Sequence, residues 1–130
     1  MNTQYITGFQ HIALPASDLE ATIRFYEGLG FETIHRTADP AGTPVAFLRF
    51  GSCTIETYQA GETVKKAGAW DHLALDVTDA AALLKEIEAA GCYTVTTSGV
   101  EELPFWDKGI RFFKIEGPDK ESIEFCEIVK

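Results

Sequence analysis

Two stretches of the chain carry the same pattern of apolar and polar positions, each with a histidine near its start. The run QHIALPASDLE begins at Gln10, and the run DHLALDVTDAA begins at Asp71. Aligned without a gap over 21 positions, His11–Phe31 and His72–Cys92 share seven identities. Chance alignment of sequences of this composition would give about one or two identities over the same length. The pattern therefore indicates a duplicated module, in too few copies for a solenoid.

Each copy begins with a period-two alternation, which predicts a β-strand, and continues with a helical period. The predicted strands are Phe9–Leu14 and His72–Val77. The first helix is expected to begin at the capping box Ser17–Glu20, and the second at Thr78–Asp79. The apolar stripes of the two helices are Leu19, Ile23 and Tyr26 and then Ala80, Leu83, Leu84 and Ile87, with Gly30 and Gly91 at the C-cap positions.

Three further strand-like runs follow each helix, so the predicted order is βαβββ twice and the predicted class is α+β. Turns rich in glycine, proline and aspartate separate the runs. We expect a single domain over residues 1–130, with module one at about 6–59, a connector at 60–69 and module two at about 70–130. The further strands are expected at 32–37, 43–50 and 52–58 and at 93–98, 109–116 and 121–128.

Composition narrows the function classes. The chain of 130 residues has a net charge of −9, so we expect no nucleic-acid partner and no attraction to an anionic membrane surface. No secretory pattern or membrane-spanning run is present in the sequence, which favours a cytoplasmic protein. The cysteines Cys53, Cys92 and Cys126 are expected to be small buried residues in a reducing compartment, not disulfides or nucleophiles.

Strand parity places one histidine of each module on an equivalent surface. Ile12 and Leu14 form the more apolar side of the first strand and should pack beneath the helix, so His11 faces the other surface. The same parity applies to His72. A lone histidine on a sheet is usually structural, but two at equivalent positions of a duplicated module indicate a shared role such as metal ligation.

A glutamate lies near the middle of the last strand of each module, Glu56 in CTIETYQ and Glu124 in ESIEFCE. Either carboxylate faces solvent, or it is buried and needs a partner, because an unpaired buried charge is costly. The partner is a metal ion or one of the arginines Arg36, Arg49 and Arg111. Two imidazoles and two carboxylates suit one divalent ion such as Ni²⁺, Co²⁺ or Zn²⁺, with positions left for water or substrate.

Two longer motifs carry a resemblance to a known family. HIALPASDLEATIRFYEGLGF, from His11, resembles the opening strand and helix of the vicinal oxygen chelate superfamily, and GPDKESIEFCE, from Gly117, resembles its closing motif. The likeness covers essentially the whole chain and is greatest to the glyoxalase I (lactoylglutathione lyase) branch. It implies a curled mixed sheet around a cleft, often shared in a homodimer. It also implies four metal ligands, His11, Glu56, His72 and Glu124.

The resemblance implies a metal-dependent lyase or isomerase with a small-molecule substrate. It would convert the hemithioacetal of a 2-oxoaldehyde into a 2-hydroxyacyl thioester through an enediolate. Glu124 would be the catalytic base, with Glu56 serving the other face. Two departures argue against glutathione as the thiol: Pro15 replaces an arginine of glutathione-using enzymes, and Ala60 replaces a common amide side chain.

Three alternative functions stay open at this point. An epimerase or isomerase of another enolisable substrate would use the same four positions, usually with glutamine in place of Glu56. A ring-cleaving dioxygenase uses two histidines and one carboxylate and leaves the second ligand position empty. Glu56 at that position therefore argues against a dioxygenase. A non-catalytic small-molecule binding protein of the antibiotic-sequestering type would generally lack the four ligands.

The loop ELPFWDKG between the first and second of the later strands of module two is the other individual feature. Its aromatic pair, Phe105 and Trp106, predicts either an apolar lid over the cleft or a contact that fixes a long loop to the core.

Overall fold

The computed structural model describes residues 4, 7, 9–68 and 70–130. The predicted start of module one, at residue 6, lies outside them. The chain divides into two compact units, residues 1–63 and 64–130, and each has one helix and one mixed sheet in the described part. The elements are β1 (Ile12–Ala16), α1 (Leu19–Gly28), β2 (Glu32–Ala38), β3 (Pro44–Phe50), β4 (Cys53–Gln59), β5 (Leu73–Asp76), α2 (Ala80–Ala90), β6 (Thr94–Val95), β7 (Glu101–Leu103), β8 (Ile110–Glu116) and β9 (Ser122–Ile128). The predicted α+β class is confirmed.

The first unit has a four-stranded sheet in the order β1-β4-β3-β2. Strand β1 runs parallel to β4, and the other pairs are antiparallel. Helix α1 packs on one face of this sheet, where alternate strand residues meet the apolar stripe predicted for the helix. The centre of this core is formed by Leu19, Ile23, Tyr26, Leu48 and Ile55, all nearly inaccessible to solvent.

The second unit repeats this plan with the order β5-β9-β8-β6, and β7 also pairs with β8. Strand β5 is parallel to β9. The aromatic rings of Phe113 and Phe125 lie 4.9 Å apart in the core of this sheet. The remaining core side chains include Ala80, Leu84, Ile87, Ile115 and Ile123.

The element boundaries differ from the prediction in two informative places. Strand β1 covers Ile12–Ala16 where Phe9–Leu14 was predicted, so His11 immediately precedes the strand. The predicted strand at 93–98 is reduced to Thr94–Val95, and Glu101–Leu103 forms a short strand within a predicted loop. All three residues of that strand are exposed, so no alternation of apolar and polar residues marks it.

Both helices begin at an aspartate. Asp18 accepts a hydrogen bond from the Ala21 N–H at 3.1 Å, and Asp79 accepts one from the Ala82 N–H at 2.9 Å. The expectation for Asp79 is confirmed, whereas Ser17 as the N-cap was wrong. Asp18 has the extended backbone that precedes a helix, so its side chain reaches the free amides.

A side chain from the last strand of each unit caps the helix a second time. Gln59 Oε1 accepts the Leu19 N–H at 2.9 Å, and Glu127 Oε1 accepts the Ala80 N–H at 2.8 Å. Gln59 and Glu127 are three residues after the predicted ligands of their strands, so they are equivalent in the repeat. The duplication therefore includes the attachment of each helix to its sheet.

The cysteines are free, but none of the three is fully buried as predicted. Cys53 and Cys126 are half-buried, but Cys92 is exposed, because it follows the αL residue Gly91 that ends α2. No helix in the described part of the chain is long and apolar enough to cross a membrane.

Candidate metal centre

In the first unit, His11 and Glu56 lie side by side on the sheet face opposite α1. The parallel register of β1 and β4 sets Ala13 beside Glu56. His11, two residues before Ala13, is thereby brought close to the Glu56 carboxylate. The His11 Nε2 and Glu56 Oε2 atoms are 3.9 Å apart, and both side chains are half-buried. Phe47 is the antiparallel neighbour of Glu56, and its ring meets the His11 ring edge-on at 5.8 Å.

The second unit contains the equivalent pair at the equivalent register. Ala74 pairs with Glu124 across the parallel strands β5 and β9. The His72 Nε2 and Glu124 Oε2 atoms are 3.1 Å apart, and Glu124 is 8% exposed. In each unit, the structure therefore brings the predicted histidine to the predicted glutamate.

The residue before each histidine fixes the orientation of its imidazole ring. Gln10 Oε1 lies 2.9 Å from His11 Nδ1, and Asp71 Oδ2 lies 2.7 Å from His72 Nδ1. With Nδ1 donating to these oxygens, Nε2 is left as the nitrogen with a free lone pair, and it is the nitrogen nearer the glutamate. The hydrogen bond with His72 lowers the pKa of Asp71, and the charge of Lys114 lowers it further.

The arginines expected as alternative partners do not pair with these glutamates in the described residues. Arg36 pairs with Glu20, and the Arg111 Nε lies 3.3 Å from Glu102 Oε1. The neighbours of Glu124 are a histidine and Lys114, so the arginine alternative was wrong for this carboxylate. The solvated-face alternative was also wrong for Glu124, since the residue is buried.

Lys114 is a neighbour of the second pair that the sequence interpretation missed. It lies opposite Glu124 in the antiparallel register of β8 and β9. Its Nζ is 3.8 Å from Glu124 Oε2 and 3.8 Å from Asp71 Oδ2. The alternation at the end of IRFFKIE sets Lys114 opposite to the buried Phe113 and Ile115, which indicates the face it occupies but not its pairing with Glu124.

Cys126 is close to the second pair, but its chemistry is that of an inert thiol. Burial raises the pKa of the Cys126 thiol, and the neighbouring Glu124 and Asp76 carboxylates raise it further. The thiol thus stays protonated at neutral pH, which disfavours a role as nucleophile.

The donor chemistry fits a divalent metal ion. Each unit offers one imidazole Nε2 and one carboxylate, a set suited to borderline ions. Taken alone, neither unit assembles three or more His, Cys, Asp or Glu side chains that could hold a metal, as far as the chain is described. Each unit thus holds one of the two predicted histidine–glutamate pairs.

The aromatic loop of the second unit is not fixed to a core. Phe105 is 53% exposed and Trp106 is 73% exposed, so the expectation that they attach the loop to the core was wrong. Trp106 lines an open groove of about 510 Å³ together with Leu103, Ile110 and Val129. The lid role stays a prediction.

Comparison with known proteins identifies the relatives of this chain. Residues 8–125 match the family model of the Glyoxalase/Bleomycin resistance protein/Dioxygenase superfamily. The uncharacterized protein YwbC of Bacillus subtilis (strain 168) is 34% identical over 123 residues, which are 90% of this chain and 94% of YwbC.

Solved structures share the fold at lower identity. A glyoxalase family protein from Enterococcus faecalis is 23% identical with a TM-score of 0.75, covering 95% of this chain and 100% of that one. The fosfomycin resistance protein FosX from Listeria monocytogenes, complexed with Mn(II) and sulfate, is 20% identical with a TM-score of 0.67, covering 95% and 94%.

Proposed function

Because the chain belongs to the glyoxalase/bleomycin resistance protein/dioxygenase superfamily, we propose that it is an enzyme dependent on one divalent metal ion. The proposed ligands are His11, Glu56, His72 and Glu124. One observation carries the proposal: each unit holds a histidine Nε2 beside a glutamate carboxylate at the same register, with Nδ1 already engaged. A structural histidine has no need of this arrangement twice.

The proposed reaction is of the glyoxalase I type, from the hemithioacetal of a 2-oxoaldehyde to a 2-hydroxyacyl thioester through an enediolate. The bound ion, Ni²⁺, Co²⁺ or Zn²⁺, would supply polarisation of two neighbouring substrate oxygens. Glu124 takes the proton from the substrate carbon and returns it to the adjacent carbon, and Glu56 serves the other face. Burial of Glu124 between His72 and Lys114 supports this assignment, since a base must be held in position.

The thiol of the substrate is proposed to be other than glutathione. Pro15 pairs with Tyr58 in the sheet and offers no cation for a glutathione carboxylate. The same observation favours a second candidate, an epimerase or isomerase of an enolisable compound that needs no thiol adduct.

The resemblance also leads us to propose a cytoplasmic homodimer. Size-exclusion chromatography with light scattering on the metal-loaded protein tests the dimer, since a mass of one chain would contradict it.

Metal content per chain tests the proposed centre. The protein is loaded separately with Ni²⁺, Co²⁺, Zn²⁺ and Mn²⁺, desalted and analysed by mass spectrometry. Mn²⁺ is included because the FosX structure contains it. We expect about one ion per chain in the wild type and almost none in either His11→Ala or His72→Ala. His35→Ala is the matched control, because this exposed histidine on β2 is not a proposed ligand.

The pattern across these variants separates the alternatives. Independent binding by each pair predicts two ions per chain, with one retained in each variant. No retained ion in the wild type overturns the metalloenzyme proposal and favours a ligand-binding protein. With metal retained, hemithioacetals of several thiols are then compared by the ultraviolet absorbance of the thioester product.

A further inference from the structure

The repeat is broken at one position beside the proposed ligands. Phe47 on β3 pairs with Glu56, and Lys114 on β8 pairs with Glu124, so the two residues are equivalent in the duplicated sheets. One unit therefore offers an aromatic ring next to its glutamate, and the other offers an ammonium group. The duplicated fold does not require this difference. The difference between a phenylalanine and a lysine therefore suggests a role in substrate binding.

Lys114 lies between two carboxylates, and its ammonium group has free donor capacity among the described residues. Its side chain is 24% exposed, and its Nζ lies 3.8 Å from both Glu124 Oε2 and Asp71 Oδ2. Both distances are too long for a hydrogen bond, although an ammonium has three N–H donors. The two carboxylates thus position the cation without saturating it.

Metal ligation by Glu124 would change the electrostatic surroundings of Lys114. Glu124, one of its two anionic neighbours, is a proposed metal ligand, and Asp71 already accepts from His72. A lysine next to a ligated divalent cation is repelled unless a further anion approaches both charges. The most direct source of that anion is the substrate.

We propose that Lys114 is the specificity-determining residue for an anionic group of the substrate, a carboxylate or a phosphonate. This inference rests on the proposed metal function and narrows its substrate class. The substrate would carry two neighbouring oxygens for the metal centre and a negative charge on the side of the second unit. Phe47, at the equivalent position in the first unit, offers only an apolar contact.

Binding of three small probes to the Co²⁺-loaded protein tests this role. Glycolate carries a planar anion, hydroxymethylphosphonate a tetrahedral anion, and glycolamide the same hydroxyl with a neutral amide. Affinity is measured by calorimetry and by the visible spectrum of Co²⁺ at low ionic strength. We expect at least one anion to bind roughly tenfold to a hundredfold tighter than glycolamide, the range of a charge-assisted hydrogen bond.

Substitutions assign the preference to one residue. Lys114→Met should weaken binding of the preferred anion about tenfold to a hundredfold while metal content and glycolamide affinity are kept, and Lys114→Arg should keep most of the anion affinity. Lys85→Met is the matched control, since Lys85 is exposed on α2, and it should leave all three affinities unchanged.

The outcomes are distinguishable. The anion that binds more tightly shows whether the substrate group is a planar carboxylate or a tetrahedral phosphonate. Equal weakening of all probes by Lys114→Met, or no weakening at all, overturns the inference and leaves Lys114 as a neutralising partner of Glu124. Failure of the wild type to retain Co²⁺ overturns the metal function, and this inference with it.

Discussion

Asp71 holds the Nδ1 atom of His72 at 2.7 Å, and this contact orients the Nε2 atom toward Glu124. The carboxylate belongs to the residue directly before the histidine, and Gln10 has the same position before His11. A hydrogen-bonded carboxylate behind an imidazole fixes the tautomer of the ring and restricts its rotation. The second unit therefore has the more strongly supported histidine of the two.

Replacement of Asp71 by alanine should weaken metal binding by about tenfold to a hundredfold, the usual effect of removing such a partner. Asp71→Asn should weaken it less, because the amide oxygen still accepts from Nδ1. Competition with a chromophoric chelator measures the affinity. Glu86→Ala, an exposed acidic residue on α2, is the control for the change of charge. An unchanged affinity in Asp71→Ala would show that His72 is positioned by the backbone alone.

The second caps of the helices should stabilise the two units unequally. Gln59 accepts from Leu19 and also donates to the Ser17 and Ala60 carbonyls at 2.7 and 3.1 Å, whereas Glu127, within the described part of the chain, accepts from Ala80 alone. We expect Gln59→Ala to lower the free energy of unfolding by about 2 kcal/mol and Glu127→Ala by about 1 kcal/mol.

Urea denaturation followed by circular dichroism measures both changes. Glu101→Ala, in an exposed strand residue, is the control and should have almost no effect. Equal losses in the two cap variants would mean that the additional contacts of Gln59 contribute nothing.

Much of the fold could be predicted from the sequence because its elements have one buried face. Alternating buried positions mark β3 and β4, and β8 and β9 have longer runs of buried residues. The predicted bounds of all four strands are within about a residue of the observed ones. β7 could not be predicted in the same way. It is exposed at every position and is held by pairing with β8, which leaves no mark on its own sequence.

The histidines and glutamates of the candidate site could be predicted because each occurs at the same position in both modules. The residues around them could not. Lys114 was missed because its pairing with Glu124 depends on the turn after β8, and a shift of one residue would turn its side chain to the other face. Asp71 was missed because neighbouring residues of a regular strand point to opposite faces, so Asp71 would not be expected to reach the His72 side chain. Strand β5 begins only at Leu73, so Asp71 and His72 are outside that geometry.

Thiol labelling should separate the three cysteines by exposure. Cys92 is exposed, whereas burial raises the pKa of the half-buried Cys53 and of Cys126. The thiolate is the reactive form, so a raised pKa lowers the reactive fraction at neutral pH. We expect iodoacetamide at pH 7.5 to modify Cys92 about tenfold faster than the other two, and peptide mass mapping to show this order. Raising the pH should narrow the difference, and Cys92→Ser should abolish the fast phase.

Two buried hydroxyls of the first unit offer a route to a more stable protein. Thr22 on α1 and Thr57 on β4 are fully buried, and neither Oγ1 has a hydrogen-bond partner among the described residues. Burial of a hydroxyl without a partner costs about 1–3 kcal/mol, and valine has nearly the same shape without the polar atom. Thr22→Val and Thr57→Val should therefore each raise the free energy of unfolding by about 1 kcal/mol.

The exposed Thr94 on β6 provides the matched control, since Thr94→Val should change the stability by less than about 0.5 kcal/mol. A loss of stability in Thr57→Val would mean that its hydroxyl has a water partner in solution, because only a satisfied hydroxyl makes the threonine preferable at that position.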